Sequence, residues 1–299
     1  MVPRMANPPL LVTGASGHLG RRVLELLLER DAGPIIATTR TPASLTAFAA
    51  RGVDVRRADF EDDASLDAAF AGARRALLIS TDAIDRPGRR LAQHHRAVAA
   101  LERAGVEHVV YTSLPNPIGS LCLIAPDHAA TEAALAATKL DVTVLRNNMY
   151  TDYLLHSLPG AVASGALIDA KGTGAIAYVT RDDCARAAAG ALASSSRGRT
   201  TVDVTGPEAL TSVQLAAIVS ELVGKPIAHT SVPGPALIEG LIGHGVPAPF
   251  AQLLASFDAA TAKGDLRQVS TAVEQLSGTK PTSVATYLRS QRQALLAAA

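Results

Sequence analysis

The chain has 299 residues, 48% of them apolar, and a net charge of +1. That is enough for one large domain, or a domain with a smaller partner, and its balanced charge gives no grounds for nucleic acid. Two cysteines, Cys122 and Cys184, are too few for a disulfide framework or a thiolate metal site and read as reduced thiols. No window reaches the ~18 consecutive apolar residues of a membrane helix, and the N-terminal "MVPRMANPP" lacks the apolar run of a signal peptide; the expected location is cytoplasmic.

The first strand pattern, residues 9–14, runs through "TGASGHLG" into a helical pattern at 18–30. Gly14 permits a tight turn, Gly17 lets the backbone approach a pyrophosphate, and Gly20 lets the helix pack on the sheet. The helix start offers unpaired N–H groups and a positive dipole end to phosphates, with Thr13, His18 and Leu19 framing the site. A second strand, 34–40, ends at Arg40 with no carboxylate nearby. NAD-binding folds carry an acid about here, whereas a guanidinium pairs with a 2′-phosphate. The expected cofactor is therefore NADP(H), with Thr39 and Thr41 as further donors. Thr41 and Pro42 read as the cap and first residue of a helix over 42–51.

The third strand, 53–60, ends at Asp59 and Phe60, placed for the adenine amino group and ring. A helix follows at 63–71. The fourth strand, 75–80, brings Ser80 and Thr81 toward the ribose and nicotinamide. Helices at 87–104 and 126–138 alternate with strands at 107–113 and 141–147. Six strands alternating with helices give an α/β fold with a doubly wound parallel Rossmann sheet and ligands at the strand carboxyl ends.

After residue 150 the rhythm changes. A Gly-rich turn, a short strand and a helix opening at Asp182 or Asp183 precede a strand, a turn and a helix from Thr211. A helical, Pro/Gly-punctuated stretch then begins at Ser231. His94, His95 and His156 lack partners at ligand spacing, so no metal is expected and these histidines read as solvated. Tyr150 and Tyr153 follow the sixth strand and either face the cleft or pack; Phe250 and Phe257 either line the pocket or join its core.

The segments "LLVTGASGHLGRRV", "ATTRTPASL", "GVDVRRADFEDDASLDAAFAG", "RALLIST", "GVEHVVYTSL", "DHAATE", "VLRNNMYTDYL" and "YVTRDDCARAAAGAL" follow one another as in NmrA-like atypical short-chain reductases. The chain most resembles their NAD(P)H:quinone oxidoreductase and triphenylmethane reductase branch. The resemblance implies an NADP-binding Rossmann domain at 7–149, rejoined by strand segments near 175–182 and 201–206. It also implies a smaller, mostly helical substrate domain, mainly 150–299. Carried over by position, Gly14, Gly17, Gly20, Arg40, Asp59, Phe60 and Ser80 contact the cofactor, and Asn147, Asn148 and Tyr150 stand at the nicotinamide end. A small-molecule electron acceptor is the expected partner, and a homodimer is compatible with the sequence.

Many short-chain reductases follow a catalytic serine, here Ser113, with a Tyr and a Lys four residues apart. This chain has His128 and Glu132 at that spacing, on one face of a helix. Ketone reduction produces an alkoxide that needs a positioned acid. Quinone reduction produces an anion about as acidic as tyrosine, with a pKa of about 10, and reduction of a cationic dye gives a neutral product. The expectation is a quinone reductase-like oxidoreductase without the dyad, with catalytic residues Ser113, His128 and Tyr150 and with His128 a weak acid or orienting donor. Glu132 reads equally as a helix residue or as a partner of His128. The alternatives are a ketone or imine reductase using His128 as acid, and an NADP(H)-binding redox sensor without turnover.

Overall fold

The computed structural model describes residues 9–296, so residues 1–8 of the segment read for a targeting signal lie outside the described residues. The first half alternates strictly: β1 (Leu10–Val12), α1 (His18–Glu29), β2 (Ile35–Thr39), a 3₁₀ turn at Pro42–Leu45 with α2 (Thr46–Ala49), β3 (Asp54–Arg57), α3 (Asp63–Phe70), β4 (Arg75–Leu78), α4 (Arg89–Arg103), β5 (His108–Ser113), α5 (Ala125–Ala137) and β6 (Asp141–Asn147). A 3₁₀ turn at Thr151–Tyr153 leads to α6 (Leu154–Ser164), β7 (Ala166–Asp169), β8 (Ala175–Ile176), α7 (Arg181–Ala193) and β9 (Arg199–Val204). The rest comprises β10 (Leu210–Thr211), α8 (Ser212–Val223), β11 (Ala228–Ser231), α9 (Gly234–Gly243), α10 (Ala248–Lys263), α11 (Ala272–Ser277), α12 (Val284–Ser290) and α13 (Arg292–Leu296).

The main sheet has the order β3-β2-β1-β4-β5-β6-β9, and every pairing in it is parallel. Because successive strand side chains point to opposite faces, apolar runs such as "LLV" feed two cores. Leu10 and Val12 pack with Val23 and Leu24 of α1 and Ala188 of α7. Leu11 packs on the other side with Leu66 of α3, Leu101 of α4 and Leu135 of α5. The chain reverses its direction of growth between β1 and β4, so the crevice at their carboxyl ends is the topological switch point where such folds bind ligands.

Beyond β6 the chain departs from simple alternation. Arg199–Val204 returns as the seventh strand, against the full length of β6. The stretch expected at 175–182 does not join this sheet, because β9 occupies the free edge of β6. Ala175–Ile176 pairs instead with Leu210–Thr211, and Val179 bridges to Tyr150, just beyond β6. α7 opens on Thr180, whose side chain accepts from Asp183 N–H. Asp182 and Asp183 lie in the first turn, where the helix dipole favours acids. α8 starts with a reciprocal capping box between Thr211 and Gln214. A third core joins α6, β7, α8, α12 and α13 through Leu158, Leu167, Val219, Leu288 and Leu295.

Candidate functional site: a dinucleotide cleft at the sheet switch point

The glycine turn is built as tightly as its sequence suggests. Gly14 sits at φ 57°, a left-handed conformation that favours glycine, and its carbonyl accepts from Gly17 N–H at 3.0 Å. A Cβ on Gly20 would lie 2.4 Å from Gly14 O and 2.7 Å from the Ala15 Cα, so α1 can approach the turn only with glycine there. Gly17 caps α1 without a side-chain bond, and the first turn holds no acid. The N–H groups of His18, Leu19 and Gly20 are therefore left for an anion. The Leu19 side chain belongs to the core, so only its backbone serves that purpose.

Beside this turn, the Thr39 hydroxyl donates to Ser16 Oγ at 2.9 Å and accepts from Thr41 N–H at 3.2 Å. Arg21 links the same loops, with Nε on Ser16 O at 2.9 Å and Nη2 on Ser44 O at 2.7 Å. Arg40 stands exposed at the rim of this frame, without a partner among the described residues. A turn that a Cβ would fill, an uncapped helix start and an unpaired guanidinium fit the pyrophosphate and 2′-phosphate of NADP(H).

The remaining expected contacts divide. Asp59 Oδ1 accepts from Glu61 N–H at 3.0 Å, and half-buried Phe60 packs on the core beside it. Ser80 Oγ accepts from Thr112 Oγ1 at 3.3 Å, which leaves its own hydrogen for a ligand. Asn147 Nδ2 reaches Tyr150 Oη at 3.4 Å, while its Oδ1 is buried and unpaired. The Thr13 and Asn148 side chains are engaged within the protein. The Thr13 hydroxyl donates to Leu77 O and accepts from Ile79 N–H. The Asn148 side chain is spent on Leu266 O and Met149 N–H. The Tyr150 and Tyr153 rings lie tilted to one another with 5.6 Å between centroids, and Arg181 lies over both. Burial pushes the Tyr150 phenol well up. Phe250 is largely exposed, whereas Phe257 packs beside Leu114, Cys122 and Ala260.

The face of α5 that carries His128 and Glu132 is matched to β5 beneath it. Four helical residues rise ~6 Å and two strand residues ~6.6 Å, so the pair meets Tyr111 and Ser113. His128 Nδ1 lies 2.9 Å from Tyr111 Oη, and Nε2 lies 2.8 Å from Arg90 Nη2. An arginine only donates, so Nε2 accepts, and Nδ1 carries the hydrogen directed at Tyr111. Burial, with the Arg90 charge adding to it, holds the His128 pKa well below its ordinary value. His128 is thus a neutral imidazole with both nitrogens engaged by protein groups.

Arg90 also donates to Thr81 O at 2.7 Å, and Thr81 N–H donates to His94 Nε2 at 3.0 Å. His94 Nδ1 donates in turn to Thr131 Oγ1 at 2.9 Å. His94, expected to be solvated, is fully buried, and burial lowers its pKa to about 3. Sequence reasoning passed over Arg90 and Thr131, and set Tyr111 aside because no lysine follows it at the spacing of the dyad. Their only signal was polar character on otherwise apolar faces, shared with many surface residues.

One turn further, Ser113 Oγ donates to Glu132 Oε1 at 2.6 Å. Arg146 of β6 grips the same carboxylate, Nε to Oε1 at 3.1 Å and Nη2 to Oε2 at 2.7 Å. The two halves of the α5 face therefore differ: His128 belongs to a sealed network, Glu132 to a charged cluster ending at Ser113.

The NAD(P)H-binding family model matches residues 14–195. Quinone oxidoreductase 2 of Escherichia coli is 35% identical over 92% of this chain and 96% of its own. The solved NADPH complex of the E. coli NADPH-dependent quinone oxidoreductase superposes with a TM-score of 0.89, covering 94% of this chain and 99% of that one. Triphenylmethane reductase of Citrobacter sp., solved with NADP(H), is 34% identical with a TM-score of 0.88 over 95% of this chain and 99% of that one. The Gly14–Gly20 turn and the seven-stranded sheet are thus those of a known family. The chain belongs to the NAD(P)H-binding, NmrA-like atypical short-chain reductases and is an NAD(P)H-dependent oxidoreductase.

Proposed function

We propose that the protein uses NADPH to reduce quinones or similarly delocalised electrophiles by direct hydride transfer, without a tyrosine–lysine acid. The carrying observation is the α5 face, where both His128 nitrogens and the Glu132 carboxylate are already engaged with protein groups. Nothing there is poised to protonate an alkoxide, whereas a quinol anion or a neutral dye product leaves without such help. When bound, the reduced nicotinamide supplies the hydride.

The chain's own residues bind and orient. The α1 start and Arg40 hold the phosphates, Asp59 and Phe60 border the adenine, and Ser80, Asn147 and Tyr150 border the ribose and nicotinamide. Ser113 touches the acceptor. Proximity is then the main source of rate, which holding two reactants in register can supply. The relatives named for quinone and dye reduction support this acceptor class. Following the ultraviolet absorbance of NADPH against a quinone, a triphenylmethane dye and an unactivated ketone tests it. Turnover of the first two and not the third is expected. Ketone turnover at the quinone rate, or tight NADPH binding with no turnover of any acceptor, overturns the reading.

A further inference from the structure

The carboxylate of Glu132 receives Ser113 from one side and the Arg146 fork from the other. Both charged side chains are largely buried, at 14% exposure for Glu132 and 24% for Arg146, so water competes little for these bonds. A serine hydroxyl has one hydrogen and two lone pairs. With its hydrogen committed to Glu132, Ser113 has only lone pairs left to offer. It closes β5 at the carboxyl end of the sheet, the end at which ligands of this fold bind.

We propose that Glu132, clamped by Arg146, fixes Ser113 as a hydrogen-bond acceptor, so that the site selects electron acceptors bearing an O–H or N–H beside the reducible centre. This rests on the reductase reading and names its substrate class: hydroxylated quinones and related phenol-like acceptors, over those presenting a bare carbonyl or ether oxygen. A bare oxygen at Ser113 would set lone pair against lone pair and lose its water partner without replacement. A hydroxyl there completes the chain from ligand to Ser113 to Glu132 to Arg146. Glu132 and Arg146 are positioning residues in this scheme, and neither exchanges a proton with the ligand.

Glu132→Gln reverses the polarity. Arg146 has only donors to offer, so its shorter bond, from Nη2 at 2.7 Å, keeps the amide oxygen at the Oε2 position while Nε gives up its bond at Oε1. The amide N–H₂ then faces Ser113 and donates to it, and the serine hydrogen turns toward the cleft. The test is calorimetric binding of two unreducible ligands of similar shape, 1-naphthol and 1-methoxynaphthalene, to NADP⁺-saturated protein. Wild type is expected to prefer the naphthol about tenfold, the ~1.4 kcal/mol of one good hydrogen bond. Glu132→Gln is expected to bring that ratio to parity or invert it, and Ser113→Ala to abolish it.

A purely structural role for Glu132 would weaken both ligands alike and leave the ratio at its wild-type value, which overturns the proposal. So does a wild type without preference. If Glu132→Gln does not fold, the comparison with Ser113→Ala decides, and a preference that survives it overturns the proposal. The reductase reading fails separately: quinones that do not oxidise NADPH would remove the reaction while the ligand ratios still report on Ser113.

Discussion

Arg90 donates to His128 Nε2 at 2.8 Å, and a protonated imidazole could not accept that bond. The residue is therefore neutral in the folded protein, and its removal acts on stability. His128→Leu leaves the buried Arg90 Nη2 unsatisfied and takes one bond from Tyr111. A loss of about 2–4 kcal/mol is expected by urea unfolding, with kcat for a quinone within about threefold of wild type where the variant is folded; a loss on the scale of a general acid, about 10²-fold or more, would return His128 to the mechanism. Arg40 is the opposite case, exposed and unpaired. Arg40→Asp replaces attraction for a 2′-phosphate by repulsion, so NADPH is expected to bind about ten- to hundredfold more weakly. NADH binding should hold or improve. Titration of nicotinamide fluorescence measures both, and equal losses for the two cofactors would take Arg40 out of the phosphate site.

Between elements, one very close approach involves α7 and α11. A Cβ on Gly190 would fall 1.9 Å from Leu276 O and 2.8 Å from its carbonyl carbon, both backbone atoms of the neighbouring helix. Gly→Ala within a helix ordinarily gains about 1 kcal/mol; here the sign is expected to reverse, with a loss of about 1–3 kcal/mol as α11 is pushed off. A raised thermal midpoint for Gly190→Ala would show that the helices can separate without cost. The same contrast between local and distant causes explains what the sequence made legible. The glycine turn and the six alternating strands were readable because each depends on near neighbours in the chain. The α5 helix, expected from residue 126, starts at Ala125 with Asp127 in its first turn. Pro126 within that turn already fixed the helical start. The Arg146–Glu132 and Arg90–His128 pairings were not readable, because parallel crossovers set them. So was the pairing of β7 with β11, two short strands far apart in the chain, whose "ALID" and "AHTS" carry too little periodicity to announce a sheet.

For the molecule as a whole, the buried histidines set the response to acid. His94 and His108 have pKa values lowered to about 3 and about 4, in both cases mainly by burial, and burial likewise holds His128 well below its ordinary range. In the unfolded chain all three titrate near 6.5. The unfolded state therefore binds protons first as the pH falls, and stability drops as pH descends from about 6.5 toward the folded values. Above that window the histidines are neutral in both states and contribute no slope. Two carboxylic acids, half-buried Asp203 and buried Asp258, have pKa values raised by burial, and they act in the opposite sense, as stability that persists into acid. Carboxylates with lowered pKa values, Glu61 and Asp62 among them, add their loss only once the pH falls through the carboxylate range. Between pH 7 and pH 5 the histidine contribution is expected to dominate, with each site costing up to about 2 kcal/mol. Urea midpoints across that interval should fall, with an uptake approaching three protons on unfolding. His108, held by Thr143 Oγ1 at 2.8 Å, offers the means of assignment. His108→Asn should remove about one proton from the slope, and an unchanged slope would place the acid sensitivity elsewhere.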